Sequence, residues 1–488
     1  MAAARQRKGR NKNMKIIILG AGQVGTSVAE SLVSEANDIT VVDNNVEHLN
    51  TLQERLDLRV VSGNAAAPSV LHAAGAEDAD LLIAVTQSDQ TNLCACRVAK
   101  TVFNIPTRIA RLRSADYAEH PELLDDNNFA VDHSICPEQI VTDYIRKLIE
   151  FPEALQVLEF AEGMVTMIAV KAFEGGLLVG KPLKTIPLRL PNIDARVAAI
   201  FRRDQSIIPS GDTIIESGDE VFIIAATSHI RKVMSELRRM DKPIKRVIIA
   251  GGGNIGFRLA RAIEKSFSVK LIERDRRRAE MLASKLSRAL VLRGDGTDEA
   301  LLDSESIEET DMFLALTNDE EDNIMSASLA KQMGARRTLA LINRKSYVDL
   351  VQGGRIDIAI SPAQTSIGQL LARVRRGDVA AVHSLRRGAA EALEVVAHGD
   401  AKHCKVIGRR IEEIDLPDGA TIAAIVRNTG QSRTEYKELV AYEVPIHEVI
   451  MAHHDTVIRA EDHVIVFCTS KKLVSQVEKL FQVGWGFF

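Results

Sequence analysis

The sequence predicts an α/β protein of two tandem units, each a doubly wound parallel-sheet domain followed by a small β-rich α+β domain. The first observation is an internal duplication, because MKIIILGAGQVG at residue 14 is answered by KRVIIAGGGNIG at residue 245. The second is a glycine-rich turn between an apolar strand and a helix-competent segment in both copies. The third is composition, since hydrophobic residues make up 46% of the chain but aromatic residues only 4%. Cores of Ile, Val, Leu and Ala are typical of parallel sheets buried between helices.

The duplication continues through the elements after the glycine-rich turn, and repeats of this kind define the architecture before any other signal. The strand ITVVD, ending at Asp43, corresponds to VKLIE, ending at Glu273. VVSGN corresponds to VLRGD, so Asn64 stands where the second copy has Asp295. LLIAVTQSD corresponds to MFLALTNDE. These matches, which follow one another in the same order, predict two copies of one βαβ-type domain.

A shorter, β-rich segment follows each copy. RVAAIFR, ending at Arg202, is echoed by TIAAIVR, ending at Arg427, and GDEVFII is echoed by EDHVIVF. Short β-branched strands separated by Gly and Pro indicate a small β domain. The stretch NTGQSRTEYKELVAYEVPIHE before Val449 has no counterpart in the first copy and is interpreted as a loop insertion.

The domain boundaries follow from these repeats. Two linkers open with Pro137 and Pro362 and then show apolar residues at three- and four-residue spacing, which predicts helices. Such helices could form a seam between subunits or pack on their own domains, and both interpretations stay open. The predicted segments are a basic extension at 1–13, parallel-sheet domains at 14–136 and 245–361, linker helices at 137–155 and 362–385, and β-rich domains at 156–240 and 386–485.

Composition also restricts the function. A formal net charge of −4 argues against a nucleic-acid binder, which needs a basic face to neutralise phosphates. No apolar run approaches the ~18–20 residues of a membrane span. We therefore expect any membrane association to be through a partner or a surface. The five cysteines show no metal-ligand spacing beyond Cys94 and Cys96, which point in different directions on a helix and predict reduced, unliganded thiols.

The glycine-rich turns carry the main functional signal. In a G-x-G-x-x-G turn between strand and helix, the first glycine makes the turn and the second lets the backbone approach a pyrophosphate. The third allows close packing of the helix, whose N-terminal N–H groups then stabilise phosphate charge. The predicted phosphate-binding residues are Gly20, Ala21, Gly22, Gln23, Val24 and Gly25 in the first copy and Gly251, Gly252, Gly253, Asn254, Ile255 and Gly256 in the second.

An acidic residue ends the next strand in both copies, where a carboxylate would accept the hydroxyl groups of a ribose. These residues are Asp43 and Glu273. Because a carboxylate repels a 2′-phosphate, the pattern favours NAD(H) or ATP/ADP over NADP. Arg274 and the arginines 276–278 complicate this preference in the second copy, although a solvated helix start explains them as well.

Polar residues at the ends of later strands complete the predicted pockets. Thr86–Gln87 and Thr317–Asn318 follow the fourth strand of each copy, where the carboxyl edge of the sheet faces the ligand. IARLR and LINRK are aligned next, so that Arg111 and Arg344 are predicted to clamp phosphate. The alternative interpretation of these arginines is a surface or interface salt bridge.

No catalytic constellation accompanies the pockets. Neither glycine turn is followed by a P-loop lysine, and no Ser/His/Asp or Cys/His set recurs at strand ends. The His453-His454-Asp455 cluster fits a polar loop better than a metal site. Two parallel-sheet and two β-rich domains use the whole chain and leave no substrate domain, so we predict a non-enzyme. An NAD-dependent oxidoreductase is the alternative.

From Met14 onward the chain closely resembles the tandem RCK (regulator of potassium conductance) family, through MKIIILGAGQVG, NDITVVD, SVKLIERD, ALQVLEFAEG, RVAAIFR, YVDLVQGG and IDIAISP. The resemblance implies a non-catalytic regulatory subunit, with NAD(H) or ATP/ADP in the glycine-turn pockets. It further implies assembly into a dimeric or tetrameric ring, and docking on a Trk-type membrane potassium transporter (TrkH or TrkG) at the cytoplasmic face of the inner membrane. An RCK-type sensor for another cation transporter remains the second alternative.

Overall fold

The computed structural model describes residues 14–33, 37–176, 178–189, 191, 193–203, 205–237, 242–344, 347, 356–374, 379–385, 390–437 and 440–483. The predicted basic extension at 1–13 lies outside these residues. The chain divides into two compact units, Met1–Ile140 and Val141–Phe488. Each unit is described by itself.

The first unit contains one parallel sheet with helices between its strands. The strands are β1 (Lys15–Leu19), β2 (Asp38–Asp43), β3 (Arg59–Ser62), β4 (Leu81–Ala84), β5 (Thr107–Arg111) and β6 (His133–Ile135). The helices are α1 (Gln23–Val33), α2 (Val46–Arg55), α3 (Pro68–Ala73), α4 (Asp89–Phe103), α5 (Ala115–Glu119) and α6 (Pro137–Glu150), the last of which continues into the second unit. The strand order is β3-β2-β1-β4-β5-β6. It reverses between β1 and β4, the point where such sheets bind ligands.

The central strands of this sheet, β1 and β4, are apolar apart from Lys15 at the start of β1, which explains their position. All four residues of β4 are buried, as are the last four of β1, and Ile16 lies beside Leu81 in parallel register. Strands covered on both faces need apolar side chains on both faces. The helix after β4 begins where Ser88 Oγ accepts the N–H of Thr91 at 3.1 Å. This cap sets where the chain turns back from the sheet edge.

The second unit opens with an antiparallel β-rich domain. Its strands are β7 (Ala154–Phe160), β8 (Val165–Lys171), β9 (Ala195–Arg202), β10 (Gln205–Ile207) and β11 (Glu220–Ala226), and its helices are α7 (Ile186–Arg189) and α8 (Ile230–Leu237). The strand order is β10-β9-β11-β8-β7. Arg202 at the end of β9 forms a two-pronged ion pair with the buried Asp219, at 2.9 and 2.8 Å. This pair fixes the turn that leads into β11.

The second parallel sheet repeats the first. Its strands are β12 (Arg246–Ala250), β13 (Ser268–Glu273), β14 (Leu290–Arg293), β15 (Met312–Ala315), β16 (Arg337–Leu341) and β17 (Ile358–Ile360). Its helices are α9 (Asn254–Ile263), α10 (Arg276–Lys285), α11 (Glu299–Ser304) and α12 (Glu320–Gln332), followed by α13 (Pro362–Val374). The order β14-β13-β12-β15-β16-β17 has the same reversal between its first and fourth strands.

The last domain is the second β-rich sheet. It contains β18 (Val379–Leu385), β19 (Ala390–Val396), β20 (Ala420–Lys437), β21 (Val440–Met451), β22 (His463–Cys468) and α14 (Val474–Phe481). The strand order is β18-β19-β22-β20-β21. The interpretation of the stretch before Val449 as a loop is wrong, because its described residues lengthen β20 and β21 into an antiparallel hairpin in which Arg433 faces Val444. Backbone pairing along the hairpin, rather than burial, holds these polar residues in strands.

The two β-rich domains share one hydrophobic core within the second unit. The Phe222 ring lies 5.6 Å from that of Phe201 and 6.0 Å from that of Phe467. Across the same core, Glu394 Oε2 accepts the N–H of Ala161 at 2.8 Å. The two sheets therefore pack through apolar contacts and through at least one buried hydrogen bond.

Both linker helices bury their apolar faces inside the chain. Val141, Ile145 and Leu148 of α6 are fully buried in the core of the second unit. On α13, a Cβ added at Gly368 would lie 2.2 Å from the carbonyl oxygen of Val382, so this helix packs directly on β18. The structure therefore matches the interpretation of connecting helices packed on their own chain.

Candidate functional site

The first glycine turn follows β1 at the reversal point of the first sheet. Gly20 has a φ of 108°, which L side chains rarely adopt, and its N–H donates to the carbonyl of Val42 at 2.7 Å. A Cβ added at Gly20 would lie 3.1 Å from the backbone of Thr86. The first glycine therefore brings the ends of β1, β2 and β4 together.

The other two glycines of this turn play different roles. A Cβ added at Gly25 would lie 1.8 Å from the carbonyl oxygen of Gly20, so only glycine permits the close packing of α1 on the turn. A Cβ added at Gly22 would meet no atom within 4 Å. The space beside Gly22 is the position in which the motif admits a pyrophosphate. Gln23 is exposed and Val24 is buried, so the backbone of α1's first turn, rather than the Val24 side chain, faces that space.

Asp43 is held in place by backbone donors. Its Oδ2 accepts the N–H of Ala21 at 2.6 Å, and its Oδ1 accepts the N–H of Asn45 at 2.8 Å. Two main-chain bonds orient the carboxylate at the end of β2, next to the glycine turn. A carboxylate oriented in this way can still accept ribose hydroxyl groups through its remaining lone pairs.

Thr86 belongs to a buried polar network that sequence reasoning missed. Asn92 Oδ1 accepts both the N–H of Thr86 at 3.0 Å and its hydroxyl at 2.7 Å. Asn92 Nδ2 donates to the carbonyl of Arg111 at 2.9 Å, so one fully buried side chain ties the ends of β4 and β5. Gln87 is exposed, and its carbonyl accepts from the guanidinium of Arg113.

Arg111 forms a salt bridge, but a largely buried one within the first unit rather than the surface or interface salt bridge of the alternative interpretation. Its Nη2 donates to Glu138 Oε1 at 2.8 Å, and the two side chains are only 15% and 11% exposed. Its Nε–H is buried and has no acceptor among the described residues. Arg111 thus stands at the carboxyl edge of the sheet with one donor in use and another free to bind.

The second glycine turn reproduces the first. Gly251 has a φ of 109°, and its N–H donates to the carbonyl of Ile272 at 2.9 Å. A Cβ added at Gly256 would lie 2.0 Å from the carbonyl oxygen of Gly251, whereas one at Gly253 would meet nothing within 4 Å. Asn254 is exposed, and Ile255 packs on the core. The chain therefore contains two pockets with the same backbone geometry.

The acidic residue is longer in the second pocket than in the first, and the residue of the glycine turn that it contacts is correspondingly smaller. Glu273 Oε2 accepts the N–H of Gly252 at 3.0 Å, and its Oε1 accepts the N–H of Asp275 at 2.8 Å. A Cβ added at Gly252 would lie 2.8 Å from Glu273 Oε2 and 2.4 Å from Leu282. The first pocket combines Ala21 with the shorter Asp43, so the extra methylene of Glu273 is matched by the missing side chain of Gly252.

The alignment of Arg111 with Arg344 is wrong. Ala84 pairs with Ala110 in the first sheet, and Ala315 pairs with Ala340 in the second. The residue of the second copy that is equivalent to Arg111 is therefore Leu341. Arg344 lies three residues beyond the end of β16 and is exposed; its Nη1 donates to the hydroxyl of Tyr347 at 2.7 Å. The error arose because arginines lie close together in the strand-to-loop segments, whose register only the strand pairing fixes.

The remaining predicted residues of the second pocket follow the first. Asn323 Oδ1 accepts the N–H and the hydroxyl of Thr317, both at 2.8 Å, and its Nδ2 donates to the carbonyl of Leu341 at 3.0 Å. Asn318, like Gln87, is exposed. Thr317 therefore lies where it was predicted, at the end of β15 beside the glycine turn.

In the second copy, basic side chains follow the acidic residue of the pocket. Arg278 Nε donates to the carbonyl of Gly252 at 2.6 Å, and Arg276 pairs with Glu280 on the same helix. Arg274 is 77% exposed and lies 3.8 Å from Asp295. Asp295 itself accepts the N–H and the hydroxyl of Thr297, and these bonds lower its pKa. Apart from the contact of Arg278 with the turn, this is a solvated helix start.

The remaining candidate sites are the cysteines and the His453-His454-Asp455 cluster. Among the described residues, no three or more His, Cys, Asp or Glu side chains come together to hold a metal ion. Cys94 is exposed and Cys96 is buried, so the two point apart. His453 and His454 are exposed in a turn where the N–H of His453 donates to Thr456. Within the same part of the chain, no helix has both the length and the apolar character needed to span a membrane.

Comparison with known proteins assigns the family. Residues 16–137 and 247–362 match the TrkA-N domain, and residues 167–238 match the TrkA-C domain. Over 470 residues the chain is 55% identical to the Trk system potassium uptake protein TrkA of Vibrio alginolyticus, covering 96% of this chain and 99% of that protein. The chain belongs to the TrkA family. The TrkA protein of Haemophilus influenzae is 49% identical over the same shares of both chains.

Solved structures agree with this assignment at the level of the fold. The GsuK RCK domain superimposes with a TM-score of 0.60 at 16% identity, covering 97% of this chain and 96% of that one. The GsuK channel bound to NAD gives a TM-score of 0.59 and covers 97% and 80% of the two chains. The predicted tandem RCK fold and the family are confirmed. Because the TrkA relatives are named as potassium uptake proteins, the prediction that the chain is not an enzyme is confirmed as well.

Proposed function

We propose that the chain is the regulatory subunit of a potassium uptake system, binds NAD(H) or ATP/ADP in two glycine-turn pockets, and gates a Trk-type membrane transporter (TrkH or TrkG). It acts as a homo-oligomeric ring, dimeric or tetrameric, at the cytoplasmic face of the inner membrane. The observation that carries the proposal is the duplicated pocket. Each copy joins an open second glycine, Gly22 or Gly253, to a carboxylate held by backbone N–H groups, Asp43 or Glu273.

The chemistry of these pockets favours a nucleotide. Helix N-termini stabilise phosphate charge, and an oriented carboxylate at the end of the second strand binds ribose hydroxyls. The carboxylates also disfavour a 2′-phosphate, which supports NAD(H) or ATP/ADP over NADP. Among the structures with the same fold, the GsuK channel is described as bound to NAD.

Gating then follows from differential binding. A nucleotide shifts the equilibrium between two ring conformations only by the ratio of its affinities for them. A tenfold preference at each pocket is worth about 1.4 kcal/mol, so several pockets acting together can open or close an attached pore. The proposed chain needs no catalytic group for this role, since binding alone supplies the free energy.

The first test measures binding of NAD⁺, NADH, ATP and ADP by calorimetry. Asp43→Ala and Glu273→Ala each remove a charged acceptor, so we expect about a 10- to 100-fold loss of affinity at the altered pocket. Glu54→Ala, at an exposed carboxylate of α2, is the matched control and should bind as the parent does. Undiminished binding in the Asp43→Ala, Glu273→Ala double variant would show that the ribose contact is misassigned.

The second test measures potassium flux through a Trk-type transporter in liposomes. Adding the chain with each nucleotide should change the flux, and the double variant should abolish that change. Nucleotide binding without any effect on flux would instead favour a sensor for another cation transporter, and binding of the chain to a panel of transporters would then identify its partner.

A further inference from the structure

The ion pair between Arg111 and Glu138 connects the first pocket to a linker helix. Arg111 is the last residue of β5, and Glu138 is the second residue of α6. The link to the pocket is continuous, since Asn92 bonds both the carbonyl of Arg111 and the backbone of Thr86, which itself touches the glycine turn. The side chain that holds the start of α6 therefore stands beside the nucleotide-binding edge.

We propose that a phosphate group bound in the first pocket takes the Arg111 guanidinium from Glu138 and thereby releases the start of α6. The inference rests on the nucleotide binding proposed above and adds a route by which binding in the first pocket changes the linker helix α6. It assigns Glu138 as a positioning residue that competes with the ligand for one arginine. By linkage, the factor by which bound phosphate weakens the ion pair is the factor by which the ion pair weakens phosphate binding, so removing the charge of Glu138 while Arg111 remains should strengthen binding.

Three features of the ion pair favour this exchange. The guanidinium carries five N–H donors in a fork that matches phosphate oxygens. Among the described residues, the salt bridge of Arg111 runs from Nη2 to Glu138, and none of them offers an acceptor to the buried Nε–H. A buried donor without an acceptor is costly, so a phosphate oxygen that reaches it gains what the ion pair leaves unsatisfied.

The helix that would be released bridges the two units of the chain. The first turn of α6 is held by the N–H groups of Gln139 and Ile140, which donate to the carbonyl of Cys136 at 3.0 and 3.1 Å. Later in the same helix, Val141 and Ile145 are buried in the core of the second unit. A change at Glu138 therefore acts on the one segment of backbone that enters the second unit.

The second copy lacks this device. Leu341 occupies the position of Arg111, and Ala363, next to Pro362 at the start of α13, occupies that of Glu138. Both residues are buried and apolar, with 5% and 4% of their surface exposed. The second pocket is therefore a control within the same chain, because Leu341 and Ala363 cannot form the ion pair that Arg111 and Glu138 form.

The test isolates the first pocket in the Glu273→Ala full-length chain and measures ATP and NADH affinity by calorimetry. Glu138→Gln keeps the shape of the side chain and removes its charge, so we expect about tenfold tighter binding. Arg111→Met should weaken binding about tenfold. The double variant Arg111→Met, Glu138→Gln completes the double-mutant cycle. Its two side chains are uncharged, as are those at the equivalent positions of the second copy, so we expect it to fold. In the Arg111→Met background, Glu138→Gln should have no effect.

The outcomes separate competition from simple charge repulsion. If Glu138→Gln tightens binding equally with and without Arg111, the carboxylate acts on the ligand directly and the inference is wrong. If nucleotide binds the parent but Glu138→Gln leaves its affinity unchanged, the inference also fails while the proposed function stands. If no nucleotide binds, both fail. In the Asp43→Ala chain, which reports the second pocket, Glu138→Gln should change nothing.

Hydrogen exchange supplies a readout at the helix itself. ATP should raise the exchange rates of the Gln139 and Ile140 amides at least threefold in the Glu273→Ala chain. The same addition should leave these rates unchanged when Arg111 is replaced by Met. Protection of these amides by ATP would overturn the direction of the proposed release.

Discussion

On β5 of the first parallel-sheet domain a buried arginine, Arg108, stands where β16 of the second domain has Thr338. Both domains place a carboxylate across from this position: Asp132 accepts the N–H of Arg108 at 2.6 Å, and Asp357 accepts that of Thr338 at 2.8 Å. In the first domain the neutralising cation is Arg108 itself, which donates to Asp132 at 2.8 Å. In the second it is Lys331 of α12, 2.8 Å from Asp357.

The difference shows that the duplication preserved a backbone bond and changed its electrostatic partner. In both copies the carboxylate joins the last two strands through a backbone N–H, and its charge, which is only partly solvated at 32% and 31% exposure, is paired with a cation. The cation reaches it from the adjacent strand in one copy and from a helix in the other. The two cations differ in how far they are exposed to solvent. This difference predicts how much the stability of each domain depends on its cation.

The largest expected effect comes from removing the first cation. Arg108 is 1% exposed and also donates to Asp126 and to the carbonyls of Ala130 and Ile105. Arg108→Met removes this donor from the two carbonyls and the cation from Asp132, whereas Asp126 keeps its salt bridge with Lys100. We expect it to destabilise the first unit by about 3–5 kcal/mol. Thermal unfolding followed by calorimetry and by limited proteolysis of the first unit would measure the loss.

The matched control for Arg108 is in the second domain. Lys331 is 31% exposed, so water replaces part of what Lys331→Met removes, and we expect a loss of only about 1–2 kcal/mol. Equal losses in the two variants would mean that burial of the cation is not what distinguishes the copies. A loss confined to Lys331→Met would reverse the comparison.

The second prediction tests what the copies share. Asn92 and Asn323 are fully buried, and each accepts the backbone N–H of a threonine and donates to the strand beyond. Replacing either by Ala leaves buried backbone groups unsatisfied and should cost about 2–3 kcal/mol. Urea unfolding should show similar losses for both variants, with Gln90→Ala on the exposed face of α4 as the neutral control. If one variant lost less than half the free energy of unfolding that the other lost, the two asparagines would not hold their strand ends in the same way.

The two asparagines also show how far sequence reasoning reached. The glycine turns, the acidic strand ends and Thr86 with Thr317 could be predicted, because each follows from the backbone that a βαβ unit requires. Asn92 and Asn323 were missed, although both copies place an asparagine six residues after that threonine. That shared spacing was the available signal. Its meaning depends on a turn that brings the start of a helix back to the strand end, which no local pattern encodes.

The errors have a common physical origin. The alignment of Arg344 with Arg111 was wrong because arginines lie close together where these strands end, and only the pairing of β16 with β15 fixes the register. The hairpin of β20 and β21 was taken for a loop because its exposed residues are the Asn, Gly and Ser that turns use. In both cases long-range backbone pairing decided the structure, and local composition does not record it.

The third prediction gives the second pocket the pair of residues found in the first. Gly252→Ala places a Cβ 2.4 Å from Leu282 and 2.8 Å from Glu273 Oε2, and should cost about 1–3 kcal/mol through overpacking. It should also weaken nucleotide binding at the second pocket. Adding Glu273→Asp recreates the Ala and Asp combination of Ala21 and Asp43, and should restore most of the affinity. Binding that stays weak in the double variant would show that the two positions are not coupled.

The smallest effect is expected in the β-rich domains, where Gly218 (φ 92°) corresponds to Glu461 (φ 63°). A left-handed backbone costs an L-residue other than glycine about 1–2 kcal/mol. Glu461 keeps a pair with His398 at 2.8 Å, but this pair is exposed and worth little. Since glycine loses more entropy on folding, we expect Glu461→Gly to gain only about 0.5 kcal/mol. Glu461→Ala loses the same ion pair and keeps the strain, so it should show no gain in melting temperature. A gain in both variants would mean that the ion pair with His398, rather than the backbone, carries the cost at this turn.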